Sequence, residues 1–224
     1  MLCFYQEGCR MIASHKLRKR DIYLNKLIAF QDTEPIKVVT GIRRCGKSSL
    51  LKLMAAHLRE NGVNDEQIIE MNFESYEFIK MTSDDLYQYV KERSLPSKRM
   101  YLFFDELQRM AGWENTINAF RVDLDCDIYI TGSNAKLLSG ELATYLGGRY
   151  VEFVIYPFSF GEFMELYRSI SPSESSQQCF QKYLLAGACL TLRTSATQML
   201  HPSNIFMIYS TPSSSRTSCS EIKS

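Results

Sequence analysis

The sequence predicts an α/β fold, a parallel sheet covered by helices on both faces, and three observations carry that prediction. Short runs rich in β-branched and aromatic residues alternate with longer amphipathic runs through the middle of the chain. A glycine-containing turn, GIRRCGKSSL at 41–50, joins the first of these short runs to a helix-like segment. The chain has 224 residues and is 45% hydrophobic, enough apolar material for a real core.

Residues 1–20 read as an N-terminal tail that ends in the basic run KLRKR, expected to be solvated, and Met11 is a second candidate start. DIYLNKLIAF at 21–30 spaces Ile22, Leu24, Leu27 and Ile28 as a helix does, and DTEP closes it as a turn. Strands are expected at IKVVT (36–40), IIEMNF (68–73), MYLFFD (100–105), DIYIT (127–131) and YVEFVIY (150–156). Helices are expected between them at KSSLLKLMAAHLREN, SDDLYQYVKERS, WENTINAFRVD and AKLLSGELATYLGG. One domain over 21–170 results, closing with SFGEFMELYRS at 159–169.

Beyond it, 171–224 reads as the polar linker SPSESSQQ, one helix at CFQKYLLAGA, and a Ser- and Thr-rich tail. No Asp or Glu occurs between Glu174 and Glu221, which a packed domain rarely tolerates, so this tail is expected to be disordered or non-native.

Lys and Arg total 26 against 25 Asp and Glu, so no global field draws the chain to nucleic acid or to an anionic membrane. Seven scattered cysteines, without a C-x-x-C pair or matching histidines, argue against zinc and against a disulfide framework and suit a reducing compartment. The start lacks the order of a signal peptide, and no apolar run is long enough to span a membrane. The expected location is cytoplasmic.

Gly41, Gly46, Lys47 and Ser48 fit the spacing G-x-x-x-x-G-K-[ST], the Walker A pattern, with a strand before it and a helix after it. Glycines let the backbone curl so that successive N–H groups point inward, and the helix N-terminus adds its positive dipole end. The loop residues Gly41, Ile42, Arg43, Arg44, Cys45, Gly46, Lys47, Ser48 and Ser49 are therefore expected to cradle the phosphates of a nucleotide. Lys47 brings a full charge to the β and γ phosphates, and the Ser48 hydroxyl ligates Mg²⁺.

That site requires a carboxylate at the tip of a neighbouring buried strand, and MYLFFDE supplies it. Asp105 is the expected metal partner, in the Walker B position, and Glu106 the expected catalytic residue that polarises the attacking water. DIYITGSN ends a further strand in polar residues, where Ser133 or Asn134 would sense the γ-phosphate or would serve as an ordinary turn.

GIRRCGKSSLL, YLFFDELQRMAGW, YITGSNAKLLSGELATYLGGRY and YPFSFGEF together resemble the prokaryotic AAA-type P-loop ATPases, in which this domain precedes a C-terminal domain of unknown function. The resemblance covers roughly residues 20–187. It implies a core that binds and hydrolyses ATP, with the strand order 5-1-4-3-2. It also puts Arg149, in GGRY, where related ATPases carry an arginine that completes their own or a neighbouring active site; a structural salt bridge is the other reading. Arg43 and Arg44 are typical of the family. The pattern is lost after Gly187, and an interrupted reading frame is the expectation for the segment beyond it, with the family's C-terminal domain replaced.

The expected activity is Mg²⁺-dependent hydrolysis of ATP to drive conformational change in an attached domain or a protein partner. The alternative is a nucleotide-binding switch with little turnover. GTP is disfavoured because no N-K-x-D follows the loop, and an ABC transporter ATPase because LLSGE follows the DE strand rather than preceding it. Nucleic-acid coupling rests only on KLRKR and SKR, short runs without interleaved aromatics. The preference for adenine rests on the resemblance alone.

Overall fold

Runs of Val, Ile and aromatic residues build five strands: β1 (Ile36–Gly41), β2 (Ile68–Asn72), β3 (Met100–Asp105), β4 (Cys126–Ser133) and β5 (Tyr150–Ile155). All pair in parallel, in the order β2-β3-β4-β1-β5. Read from the other edge, this is the 5-1-4-3-2 order that the family resemblance implied, and the fold class is α/β. The structure, a computed structural model, describes residues 20–133, 146–168, 173 and 175–186. Residues 1–19 of the expected N-terminal tail, the expected Ser- and Thr-rich tail and most of the expected helix at 135–148 lie outside those residues; the last three of that helix, 146–148, form a turn.

Among the described residues, four helices cover the sheet: α1 (Asp21–Ala29), α2 (Lys47–Glu60), α3 (Ser83–Arg93) and α4 (Trp113–Asp123). Side-chain alternation along β3 separates the two faces. Met100, Leu102 and Phe104 pack with Leu86 and Val90 of α3 and Trp113, Ile117 and Phe120 of α4. Tyr101 and Phe103 pack on the other face with Leu24 and Leu27 of α1 and with Leu50, Met54 and Leu58 of α2. Each such fully buried aliphatic or Phe side chain contributes about 1.5–3 kcal/mol. Helix α3 starts where Thr82 and Asp85 form a capping box, the Thr82 hydroxyl accepting from the Asp85 amide at 3.2 Å.

The amino ends of the strands hold a buried polar cluster. Lys37 Nζ donates to Asp127 Oδ1 at 2.5 Å and to the Thr33 carbonyl at 2.7 Å, and both ionic side chains are fully buried. Asp127 Oδ2 accepts from the Tyr129 hydroxyl at 2.9 Å and from the Asp32 amide at 2.8 Å. The expected turn after α1 is thereby tied beneath the sheet.

Arg20 departs from the expectation of a solvated basic run. It is 8% exposed, and its guanidinium donates to backbone carbonyls of the glycine turn and of the segment after β5. The aromatic faces of Tyr23 and Phe158, with those carbonyls, replace the water it would otherwise hold.

A second compact unit begins at Phe160 and contains α5 (Phe160–Arg168) and α6 (Ser176–Ala186). Within it Phe160 meets Phe180 edge-on at 5.2 Å, and Lys182 Nζ donates to the Tyr167 hydroxyl at 2.5 Å. Among the described residues, no helix is long and apolar enough to cross a membrane.

Candidate functional site

Parallel pairing brings the carboxyl ends of β1, β3 and β4 to one edge, where open α/β sheets bind ligands. There β1 ends at Gly41, whose φ is +150°. A Cβ at this position would lie 2.4 Å from the Ile155 carbonyl oxygen and 2.7 Å from Cys45 Sγ, so only glycine fits. The chain then curls through Arg44 (φ 66°) and Gly46 (φ 104°), both left-handed, and Gly46 caps α2. Successive amides in such a turn, followed by the unbonded N–H groups of a helix N-terminus, form a concavity that attracts anions.

Ile42, Arg43 and Arg44 project outward and are exposed, whereas Cys45 is buried beneath the loop. Burial raises the pKa of the Cys45 thiol, so it acts as a small apolar side chain. Lys47 opens α2, and its side chain folds back under the loop with 4% exposure. Its Nζ donates to the Gly41 carbonyl at 3.1 Å and the Ile42 carbonyl at 3.3 Å, and stands 3.8 Å from Glu106 Oε1. Those bonds are long for an ammonium, so exchanging them for phosphate oxygens costs little. Ser48 is half-buried one residue further into the helix, and Ser49 is exposed.

Asp105 ends β3, 9% exposed, and its Oδ1 accepts a 2.5 Å bond from the Thr131 hydroxyl. Glu106 follows with φ 55°, a conformation that costs a non-glycine residue roughly 1–2 kcal/mol and is held here by specific bonds. Its amide donates to Thr131 Oγ1 at 2.9 Å, and its Oε2 accepts from Gln108 Nε2 at 2.6 Å. A carboxylate only accepts, so the Gln108 amide orientation is fixed by its partner. Glu106 thus presents Oε1 to Lys47 while Oε2 is occupied.

The donors suit Mg²⁺, a hard ion that takes oxygen ligands and keeps several from water and substrate. Ser48 offers a hydroxyl, and among the described residues no donor reaches Asp105 Oδ2. No group of three or more His, Cys, Asp or Glu gathers among the described residues.

Lys47 and Glu106 therefore meet beside the glycine turn, and Asp105 directly precedes Glu106 at the end of β3. Ser133 ends β4 in register with Gly41, and Asn134 lies outside the described residues. Arg149 needs a correction. It lies just before β5, at the amino end of the sheet, its carbonyl accepting from the Ile36 amide at 3.1 Å. From Ile36 to Gly41 the strand rises about 17 Å at ~3.3 Å per residue, so Arg149 does not complete its own chain's site. Sequence reasoning missed Thr131 and Gln108. Thr131 read as an ordinary β-branched strand residue; the available signal was a hydroxyl one step before the Gly132–Ser133 end of a buried strand.

The sequence profile of the family described as "AAA domain" matches residues 33–164. An uncharacterised protein of Haemophilus influenzae is 43% identical over 172 residues, 76% of this chain and 43% of the relative. An uncharacterised protein of Methanocaldococcus jannaschii, MJ1544, is 35% identical over 151 residues, 67% of this chain and 32% of the relative. The chain thus spans less than half the length of these curated relatives. In fold it is similar to the Walker-type ATPase PABY2304 of Pyrococcus abyssi, with a TM-score of 0.55 and 20% identity over 76% of this chain and 64% of that one.

Proposed function

The chain belongs to the AAA domain family, and from that premise we propose that it binds ATP with Mg²⁺ and hydrolyses it to ADP and phosphate, the turnover driving conformational change in an attached domain or protein partner. One observation carries the reading: Lys47 Nζ under the phosphate loop stands 3.8 Å from the carboxylate of Glu106, whose backbone amide is held by Thr131 and whose Oε2 is held by Gln108. A loop that merely turned the chain would need neither the buried ammonium nor the strained glutamate.

In this reading the loop amides and the α2 N-terminus bind the phosphate chain, and Lys47 exchanges its two carbonyl partners for β and γ oxygens. Ser48 and Asp105 would hold Mg²⁺, which when bound neutralises charge on the β and γ phosphates. Thr131 keeps Asp105 and the Glu106 backbone in fixed relation. Glu106 orients the attacking water and takes its proton on Oε1, the water oxygen bonds the γ-phosphorus as the bond from that phosphorus to the β–γ bridging oxygen breaks, and ADP and phosphate leave. Ser133 and Asn134 are assigned to sensing the γ-phosphate, and Arg149 to the site of a neighbouring copy. Among the described residues Cys45, Cys126 and Cys179 are free thiols, which agrees with a cytoplasmic setting.

The test measures phosphate release and nucleotide affinity together. Wild type should bind ATP more tightly with Mg²⁺ than without and release phosphate, Glu106→Gln should bind without releasing, and Lys47→Ala should lose binding. Binding without release by wild type would select the switch reading. Equal ATP affinity in wild type and Lys47→Ala would remove the site assignment.

A further inference from the structure

Arg20 stands at the N-cap of α1, outside the loop it touches. Its Nη1 donates to the Cys45 carbonyl at 3.0 Å and to the Tyr156 carbonyl at 3.0 Å, and Nη2 reaches the Pro157 carbonyl at 3.5 Å. The guanidinium carbon lies 4.4 Å from the ring centroid of Tyr23 and 4.8 Å from that of Phe158. Nη1 is also 3.9 Å from where a Cβ on Gly46 would stand. A buried cation is therefore held by carbonyls and aromatic faces against the outside of the turn.

We propose that Arg20 is a positioning residue for the phosphate loop: by holding the Cys45 carbonyl outward it turns the Gly46 N–H, on the same peptide, into the anion cradle. The inference rests on the nucleotide reading above. In a trans peptide the C=O and N–H point in opposite directions, so capturing the oxygen directs the hydrogen. Gly46 occupies left-handed space and rotates about its bonds at little cost, so nothing intrinsic to residue 46 fixes that plane. With the opposite plane, a carbonyl oxygen would face the phosphates in place of a donor and repel them. Arg20 supplies the restraint from a distant segment, and the Tyr156 and Pro157 carbonyls anchor it at the exit of β5.

The side-chain type matters. Guanidinium is a rigid, planar fork that serves two carbonyls while stacking on aromatic rings, and an ammonium does not reproduce that geometry. A charge acting through space would be replaced by lysine; a forked restraint would not.

The experiment titrates ATP with Mg²⁺ into wild type, Arg20→Ala, Arg20→Lys and Lys47→Ala by calorimetry, with thermal unfolding of each protein alone. Arg20→Ala should weaken ATP binding about tenfold or more, the scale of one lost charge-assisted hydrogen bond. Arg20→Lys should remain weaker than wild type while melting close to it. Should Arg20→Ala fail to fold, Arg20→Lys carries the test alone. Full affinity in Arg20→Lys, or a lowered melting temperature with unchanged affinity, overturns the assignment and leaves the nucleotide site standing. Equal binding by wild type and Lys47→Ala removes the nucleotide reading and Arg20's role with it.

Discussion

Thr131 Oγ1 donates a 2.5 Å hydrogen bond to Asp105 Oδ1 across the buried carboxyl ends of β4 and β3. The same oxygen accepts the Glu106 amide, so one hydroxyl ties the Asp105 carboxylate to the Glu106 backbone. Asp105 keeps its second oxygen clear of donors among the described residues, and Glu106 is aimed at Lys47.

Thr131→Val keeps the shape and removes both bonds. A buried carboxylate oxygen and a backbone amide are then left unpaired, at about 1–3 kcal/mol for each unsatisfied group. Chemical denaturation should show that loss, and phosphate release should fall by about tenfold or more, since misplacement of a catalytic group by 1 Å costs up to ~100-fold. Thr131→Ser retains the hydroxyl and should stay close to wild type in both measurements. A fully active Thr131→Val would mean that the hydroxyl plays no part in placing Glu106.

At the opposite end of the sheet, the Lys37–Asp127 pair makes a separate prediction. Lys37→Met alone leaves the Asp127 carboxylate buried without its ion partner and should cost about 3–5 kcal/mol, whereas Lys37→Met combined with Asp127→Leu should recover much of it. Denaturant midpoints of the single and double variants check this. ATP affinity should be unchanged in the folded double variant, because Lys37 lies near the amino end of β1 and the loop begins at its carboxyl end, Gly41. Loss of binding there would show that the two ends are coupled.

Alkaline pH should destabilise the fold. Burial pushes the Cys126 thiol up to about 12 and raises the Cys45 thiol; it also raises the Tyr101 and Tyr129 phenols, helped by Asp32 and Asp127 respectively. In the unfolded chain these groups lose protons near ~8.5 for thiols and ~10 for phenols. The unfolded state then binds fewer protons than the folded one, so stability is full below those values and falls as pH rises through them. Lys37 works in the opposite sense, since burial lowers its pKa, but it is one group against four. Melting temperatures between pH 8 and 11 should fall, with a shallower slope in Tyr129→Phe. A melting temperature that holds or rises over that range would contradict the account.

The two classes of feature differed in how far the sequence revealed them. Strands and the loop were legible because their signals are local: Val38 and Val39 before Gly41, or four apolar residues before Asp105, report burial and turn geometry within a few positions. Arg20, Lys37 and Gln108 were not, because their meaning lies in partners far along the chain or off any periodic pattern. Lys37 sits inside a buried strand and is satisfied by Asp127, 90 residues later. Arg20 belongs to a basic run whose composition signals solvent, and its acceptors are Cys45 and Tyr156 carbonyls, groups that every residue carries. No residue type announces that its carbonyl will be used.

Arg149 yields the last prediction from its location. Its backbone bonds Leu146 and Ile36, fixing it at the amino end of β5, and the residue is exposed. A strand's length separates it from its own Lys47, so any contact with a transferring phosphoryl comes from a second copy of the chain. If it acts there, Arg149→Ala should lower the turnover number by about 10³-fold while leaving ATP affinity nearly intact, the signature of a charge that matters mainly in the transition state. Glu106→Gln should be inactive for a different reason, as its own site would lack the base while its Arg149 would remain able to serve a neighbour. Mixing the two inactive variants should therefore assemble some sites with an intact Glu106 facing an intact Arg149, and phosphate release should exceed the sum of the separate proteins. Wild-type specific activity should also rise with protein concentration as copies associate. A mixture no more active than its parts, together with activity independent of concentration, would return Arg149 to a structural role at the start of β5.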